Sequence, residues 1–192
     1  MLSSRSLKSA VLGLSLLAGG CDRQSGQTAQ PEATASAGGA AATGEVLPGE
    51  IDRSHQGSAM PEFKLSDAGG KTITLASLKG KPLLINLWAT WCAPCIAELP
   101  QLDAIAAAGK LRVLAVSQDT SKTEKVAPFL KDHGIKTLEP WLDPENELIS
   151  QYNAGDLPTS VLYDAGGKEV WRISGPRDWS SKETATLLGI GG

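Results

Sequence analysis

The chain has 192 residues, a formal net charge of -3 at pH 7 and hydrophobic residues at 41% of its positions. This length suits one globular domain with a leader or linker, and the absence of any Lys/Arg cluster argues against nucleic-acid binding. The cysteines, Cys21, Cys92 and Cys95, are too few and too unevenly spaced for a small disulfide-stapled scaffold.

The first twenty residues follow the order of a secretory signal peptide. Arg5 and Lys8 provide a basic start, and residues 10–17 form an apolar run that is too short to span a bilayer core about 30 Å thick. Small residues follow as far as Cys21. We therefore predict a signal peptide over residues 1–20.

The stretch that ends at Cys21, LLAGGC, resembles a bacterial lipobox. The resemblance implies cleavage before Cys21 and diacylation of its sulfur, with Ala18 at the position where leucine is usual. Two acyl chains give a stable membrane anchor. Asp22 resembles an inner-membrane retention signal, so the expected location is the periplasmic face of the inner membrane. The alternative is an ordinary signal peptide, which would leave Cys21 as a free thiol.

Residues 21–59 are rich in small and polar side chains and show no apolar periodicity. Such a segment cannot bury enough apolar surface to offset its chain entropy, so we predict a flexible linker behind the lipidated N-terminus. A random coil of this length reaches about 35 Å on average. The folded domain is predicted over residues 60–192.

The remainder of the chain alternates between strand and helix patterns. Alternating or continuous apolar runs predict strands at 62–65, 71–75, 83–88, 111–116, 159–163 and 168–173. Helical periodicity predicts helices at 93–108, with a kink at Pro100, and at 121–133, 143–152 and 180–188. This order predicts an α/β domain with a central mixed sheet flanked by helices and extended by an N-terminal β-hairpin.

The cysteine pair follows a predicted buried strand and begins a predicted helix. The free N–H groups and the dipole at a helix N-terminus favour the thiolate of Cys92, which is its nucleophilic form. Cys95 lies one helical turn further on, where its sulfur can attack a mixed disulfide at Cys92. Pro94 suits the first turn of a helix. The pattern predicts redox catalysis that requires no cofactor.

Three motifs resemble the thioredoxin family. Residues 88–95, WATWCAPC, are similar to the thioredoxin active-site signature, and the sequence ELP at 98–100 is similar to its TlpA/ResA branch. The sequence GDLPT at 155–159 resembles the family's cis-proline loop. The resemblance covers about residues 60–189 and implies a thioredoxin-like fold with thiol-disulfide oxidoreductase activity.

The resemblance also implies a substrate-binding surface. Pro158 is expected to form a cis peptide bond and to face the cysteines, and Leu157 to offer its backbone to an extended substrate segment. Trp91 and Pro94, which flank Cys92, complete the expected surface.

Glu98 is the further residue to which the resemblance gives a role. In this branch the matching glutamate is partly buried near the cysteines, and here Asn86 replaces the buried aspartate that thioredoxins carry. A desolvated carboxyl should have a raised pKa and could act as general base for Cys95. The alternative is an exposed helical glutamate.

The resemblance favours a reductant over an oxidant. It implies protein disulfides as substrates, for example in apocytochrome c before haem attachment, and a transmembrane thiol transporter as electron donor. The motif alone does not fix the direction, because the reduction potential depends on how well the Cys92 thiolate is stabilised.

Other interpretations of the cysteine pair stay open. A zinc site needs two further ligands, and the chain has only His55 and His133, while related copper-delivery proteins usually carry CxxxC. A purely structural disulfide across so short a loop would stabilise little. A thiol peroxidase usually has threonine three residues before its reactive cysteine, where this chain has Ala89. A non-catalytic envelope lipoprotein that binds a partner is the last alternative.

Overall fold

The structure, a computed structural model, describes residues 49–191. The predicted signal peptide, Cys21 and the first part of the predicted linker lie outside the described residues. None of the helices in the described range has the length and apolar character that a membrane span requires.

The described residues form seven strands and four α-helices. The strands are β1 (Lys64–Ser66), β2 (Thr72–Thr74), β3 (Leu83–Trp88), β4 (Arg112–Ser117), β5 (Trp141–Leu142), β6 (Thr159–Tyr163) and β7 (Glu169–Ser174). The helices are α1 (Ala93–Ala108), α2 (Val126–Asp132), α3 (Glu147–Tyr152) and α4 (Lys182–Leu187). All predicted elements are present, and β5 is an addition to them.

The seven described strands form one mixed sheet in the order β2-β1-β5-β4-β3-β6-β7. β3 is parallel to β4 and antiparallel to β6, and all six of its residues are buried. Helices α1, α2 and α4 contribute to the core on one face of the sheet, and α3 to the core on the other. This architecture confirms the predicted thioredoxin-like fold, with the β1–β2 hairpin at one edge of the same sheet.

The helix boundaries differ from the prediction most at α2 and α3, and α4 begins two residues later than predicted. α2 begins at Val126 because a 3₁₀ turn at Thr123–Lys125 precedes it. α3 begins at Glu147, since the carboxylate of Asp143 accepts hydrogen bonds from the first N–H groups of that helix. α1 has the predicted length and continues through Pro100.

Residues 49–59, predicted as the end of the flexible linker, lie along the edge of β7. The N–H of Gly49 donates to the carbonyl of Ser174 at 2.6 Å, and Asp52 and Arg172 exchange two backbone hydrogen bonds of 2.9 Å. These contacts use the backbone, so the polar composition of the segment gave no indication of them. The folded part therefore begins earlier in the chain than predicted.

Candidate active site

The cysteine pair lies at the junction between β3 and α1. Cys92 and Cys95 are joined by a disulfide with their Cα atoms 5.3 Å apart, and both residues are buried. Cys92 is the N-cap of α1, and its Sγ accepts a hydrogen bond from the N–H of Cys95 at 3.3 Å. Pro94 occupies the first turn, where its missing N–H leaves no intrahelical bond unmade. In the reduced protein, this position would stabilise a thiolate at Cys92 through N–H groups and the helix dipole.

A tight turn over residues 89–92 connects strand β3 to helix α1. The N–H of Cys92 donates to the carbonyl of Ala89 at 3.1 Å, which closes the turn. Within it, Trp91 is 70% exposed beside the buried cysteines. Thr90 is held by Asp119, whose carboxylate accepts both its N–H at 3.1 Å and its hydroxyl at 2.7 Å.

Asp119 is a residue that sequence reasoning missed. It comes two residues after β4, and β4 runs parallel to β3, so the ends of both strands reach the same edge of the sheet. Its position after a buried strand was the available signal, because side chains at the carboxyl ends of parallel strands commonly form functional sites.

The peptide bond between Leu157 and Pro158 is cis, as expected from the resemblance. Pro158 is buried and directly precedes β6, and its carbonyl accepts the N–H of Gly175 at 2.8 Å. Leu157 and Trp91 line one groove of 440 Å³, together with Gln118, Thr120, Asn146, Ile149, Ala154, Gly155 and Asp156. The structure thus brings Trp91 and the proline loop together beside the cysteine pair.

Glu98 is buried, with only 4% of its surface exposed, so the exposed alternative does not apply. Its Oε1 accepts the backbone N–H of Arg177 at 2.5 Å, while Oε2 is buried and has no partner among the described residues. Burial raises the pKa of Glu98, although the Arg177 N–H and the nearby Trp179 and Asn86 side chains oppose the increase. Neither the Trp179 indole nor the Asn86 amide, however, forms a hydrogen bond to the Glu98 carboxylate.

Asn86 is buried in β3 and its amide donates to the hydroxyl of Ser160 at 3.0 Å. Since an amide does not ionise, this position cannot supply a proton carrier. Within residues 49–191, no group of three or more His, Cys, Asp or Glu side chains is arranged to hold a metal ion. His133 instead stacks on Phe129, with ring centroids 4.0 Å apart.

Comparisons with known proteins agree with this geometry. The model of the AhpC/TSA family matches residues 56–171. Thiol-disulfide oxidoreductase ResA of Bacillus cereus is 37% identical over 121 residues, which cover 62% of this chain and 69% of that protein. The ResA protein of Bacillus subtilis is 36% identical over 124 residues, covering 62% of this chain and 68% of its own.

The solved structures that are similar to this one also include thioredoxin-like and thiol:disulfide interchange proteins. The exposed lipoprotein thioredoxin Etrx1 of Streptococcus pneumoniae has a TM-score of 0.59 at 30% identity, covering 67% of this chain and 98% of its own. A thiol:disulfide interchange protein of the DsbE type from Chlorobium tepidum has a TM-score of 0.59 at 29% identity, with coverages of 71% and 98%. The chain therefore belongs to the AhpC/TSA family and is a thioredoxin-fold thiol-disulfide oxidoreductase of the ResA and DsbE type.

Proposed function

We propose that this enzyme reduces disulfides of cell-envelope proteins by dithiol–disulfide exchange at Cys92 and Cys95. The observation that carries the proposal is the position of the Cys92 sulfur, which caps α1 and receives the N–H of Cys95. This position favours the thiolate, and the adjacent groove offers a surface for a polypeptide.

The reaction begins with the reduced enzyme. The Cys92 thiolate attacks one sulfur of a substrate disulfide, and the substrate's other sulfur leaves as a thiolate that takes a proton from water. The Cys95 thiol then gives its proton to the Glu98 carboxylate and attacks the sulfur of Cys92. This step forms the Cys92–Cys95 disulfide and expels the second substrate sulfur as a thiolate, which takes the proton back from Glu98. The substrate has then gained two electrons and two protons as two thiols. A dithiol donor, proposed to be a transmembrane thiol transporter, reduces the enzyme again.

The groove beside the cysteines is the proposed substrate site. Leu157 would pair its backbone with an extended substrate segment, next to Pro158, in a form of β-strand addition. The exposed indole of Trp91 and the ring of Pro94, also exposed, would contact side chains on either side of the substrate cysteine. Apocytochrome c, whose thiols must be reduced before haem attachment, is one proposed substrate.

Lipidation of Cys21 would keep the enzyme at the membrane. Gly49 is hydrogen-bonded to Ser174, which is in register with Thr159 of β6, and Thr159 is in register with Leu87 of β3. The chain therefore enters the described fold at the end of the sheet that carries the cysteines. This placement supports a membrane-bound electron donor, since the tether would start beside the active site. The similarity to an exposed lipoprotein thioredoxin also supports the anchor.

A peroxidase is less well supported. Thr90, the threonine nearest to the pair, commits its hydroxyl to Asp119, and Ala89 stands three residues before Cys92. We expect no stoichiometric consumption of peroxide by the reduced enzyme, and such consumption would favour the peroxidase instead.

Substitution of each cysteine tests the proposal. Cys92→Ser should abolish insulin reduction, and Cys95→Ser should accumulate mixed disulfides with envelope proteins that mass spectrometry can identify. Cys21→Ser is the matched control, because it should retain turnover in solution while the protein moves from the membrane to the soluble fraction. Unchanged turnover of Cys92→Ser, or a Cys95→Ser variant that is well expressed and carries no adducts, would contradict the enzyme mechanism and favour a non-catalytic binder.

A further inference from the structure

Asp119 is buried, with only 7% of its surface exposed, and both oxygens of its carboxylate accept hydrogen bonds. Oδ1 accepts the hydroxyl of Thr90 at 2.7 Å, and Oδ2 accepts the N–H of Thr90 at 3.1 Å and the hydroxyl of Ser117 at 2.7 Å. No Lys or Arg within residues 49–191 forms an ion pair with it. Removing a carboxylate from water is costly unless hydrogen bonds replace its hydration, so these bonds hold Asp119 in one position.

The residue that Asp119 holds is part of the active-site turn. Thr90 is the second residue of the turn that the Cys92 N–H closes onto Ala89. Because its backbone and its side chain are both bound, Thr90 can neither rotate nor shift without losing hydrogen bonds. The N–H of Gln118 donates to the carbonyl of Trp88 at 2.8 Å, so the strand ends on either side are fastened as well.

We propose that Asp119 is a positioning residue that acts through Thr90 to keep the Cys92 sulfur at the N-cap of α1. The inference rests on the proposed function, in which Cys92 is the nucleophile. The Sγ of Cys92 lies 3.3 Å from the backbone nitrogen of Cys95, and the stabilisation of a thiolate by such a donor depends on distance and direction. A loosened turn would let the sulfur move away from the helix N-terminus, and its thiolate would then be less stable.

Thr90→Val tests this role, because it removes the hydroxyl, keeps the branched shape and leaves the charge of Asp119 in place. Thiolate absorbance at 240 nm, measured against pH in a background that carries both Cys21→Ser and Cys95→Ser, reports the Cys92 thiol alone. We expect Thr90→Val to move the titration midpoint upward by about 0.5 to 1 pH unit, the equivalent of one hydrogen bond. Thr90→Ser, which keeps the hydroxyl, should titrate like the parent.

Asp103 provides a matched control. Its carboxylate accepts the N–H groups of Lys136, Thr137 and Leu138, so it fixes a loop in the same manner but not the active-site turn. Asp103→Asn should lower stability without moving the thiol titration. An equal shift in Asp103→Asn would mean that general destabilisation is the cause, and would overturn the proposal.

A double variant separates Asp119 from other partners of Thr90. In an Asp119→Asn background, Thr90→Val should add little further shift, because the bond is already weakened. The same shift in both backgrounds would overturn the role of Asp119. If Thr90→Val titrates like the parent while Cys92→Ser is inactive, the positioning role is wrong and the proposed function stands. If Cys92→Ser is active, the proposed function itself fails.

Discussion

Glu98 and Arg177 are joined by a hydrogen bond that ties helix α1 to the segment after β7, with Oε1 of Glu98 accepting the Arg177 N–H. The neighbouring residue pair repeats this connection, since the side chain of Gln101 accepts the N–H of Trp179 at 2.7 Å. Helix α1 is therefore fixed at two successive turns. The carboxyl group of Glu98 serves this contact from a buried position, which gives its protonation a measurable effect on folding.

We predict that Glu98→Gln gains stability relative to the parent as the pH rises. Burial raises the pKa of Glu98 above its ordinary value of 4.5, so the folded state binds this proton more tightly than the unfolded chain. The stability that the proton contributes is fully present below about pH 4.5 and is lost as the pH rises through the folded pKa. The neutral glutamine has no such loss. Urea unfolding from pH 4 to pH 8 should show the difference growing by about 1.4 kcal/mol per unit of pKa shift.

Asp178→Asn is the control for that experiment, with the opposite sign. The Ser180 hydroxyl and N–H hydrogen-bond to Asp178 and hold its pKa below 3.8, so its contribution is present at higher pH and lost as the pH falls. Relative to the parent, Asp178→Asn should therefore lose stability as the pH rises toward about 4 and should change little further between pH 4 and pH 8. The interpretation of Glu98 is contradicted if Glu98→Gln, like Asp178→Asn, shows no gain in stability relative to the parent between pH 4 and pH 8.

Glu98→Gln should also slow the step that resolves the mixed disulfide. Without a carboxylate to accept the Cys95 proton, we expect turnover in insulin reduction to fall on the order of 100-fold near neutral pH. Quenched-flow samples analysed by mass spectrometry should contain the mixed disulfide at Cys92 as the dominant species. A fall in turnover with no accumulated intermediate would place the defect at the first attack instead.

Trp91→Ala should weaken substrate binding without affecting the fold. The indole is 70% exposed, so its removal should change the free energy of unfolding by no more than about 0.5 kcal/mol. KM for a protein disulfide should rise, because the groove loses an aromatic wall. Ile51→Ala, which truncates another exposed apolar side chain, is the control. Equal effects of the two substitutions on KM would rule out a substrate contact at Trp91.

Glu169→Gln should be strongly destabilising. Glu169 and Arg172 form two hydrogen bonds of 2.7 Å, and their side chains are only 2% and 11% exposed. Removing one charge leaves a buried guanidinium without its counter-charge, which costs about 3 kcal/mol or more. Glu183→Gln breaks the ion pair with Arg177 at a carboxylate that is 81% exposed, and should cost no more than about 1 kcal/mol. Denaturant unfolding that gave similar losses for both would contradict the role of burial.

The parts of the fold that could be predicted are those encoded locally. The apolar run of β3 and the apolar stripe of α1 lie within single segments, and the cysteines stand directly between them. By contrast, β5 has two residues and joins the sheet through partners far away in sequence, so no periodicity could reveal it. Residues 49–59 are a related case: their composition predicts a linker, yet they pair with β7, because backbone pairing does not depend on side-chain composition.

The site was predictable to a similar extent. The cis bond at Pro158 was expected from resemblance and not from the pattern, which by itself indicates only a turn before a strand. Asp119 lies 29 residues from Thr90, and only the parallel register of β3 and β4 brings the two together. The role of a buried carboxylate such as Asp119 depends on the groups that it contacts, and these groups come together only when the chain folds.

The sulfur of Cys92 caps helix α1 and, in the proposed cycle, also carries the substrate. Cys92 accepts this hydrogen bond as a disulfide sulfur, and a thiolate would accept it more strongly, so the N–H of Cys95 is held less firmly in the mixed disulfide than in the reduced enzyme. The first turn of helix α1 would then be held less firmly than in the reduced enzyme at the step in which Cys95 attacks Cys92. Formation of the mixed disulfide at Cys92 would in this way weaken the contact that holds Cys95, the residue that releases the substrate.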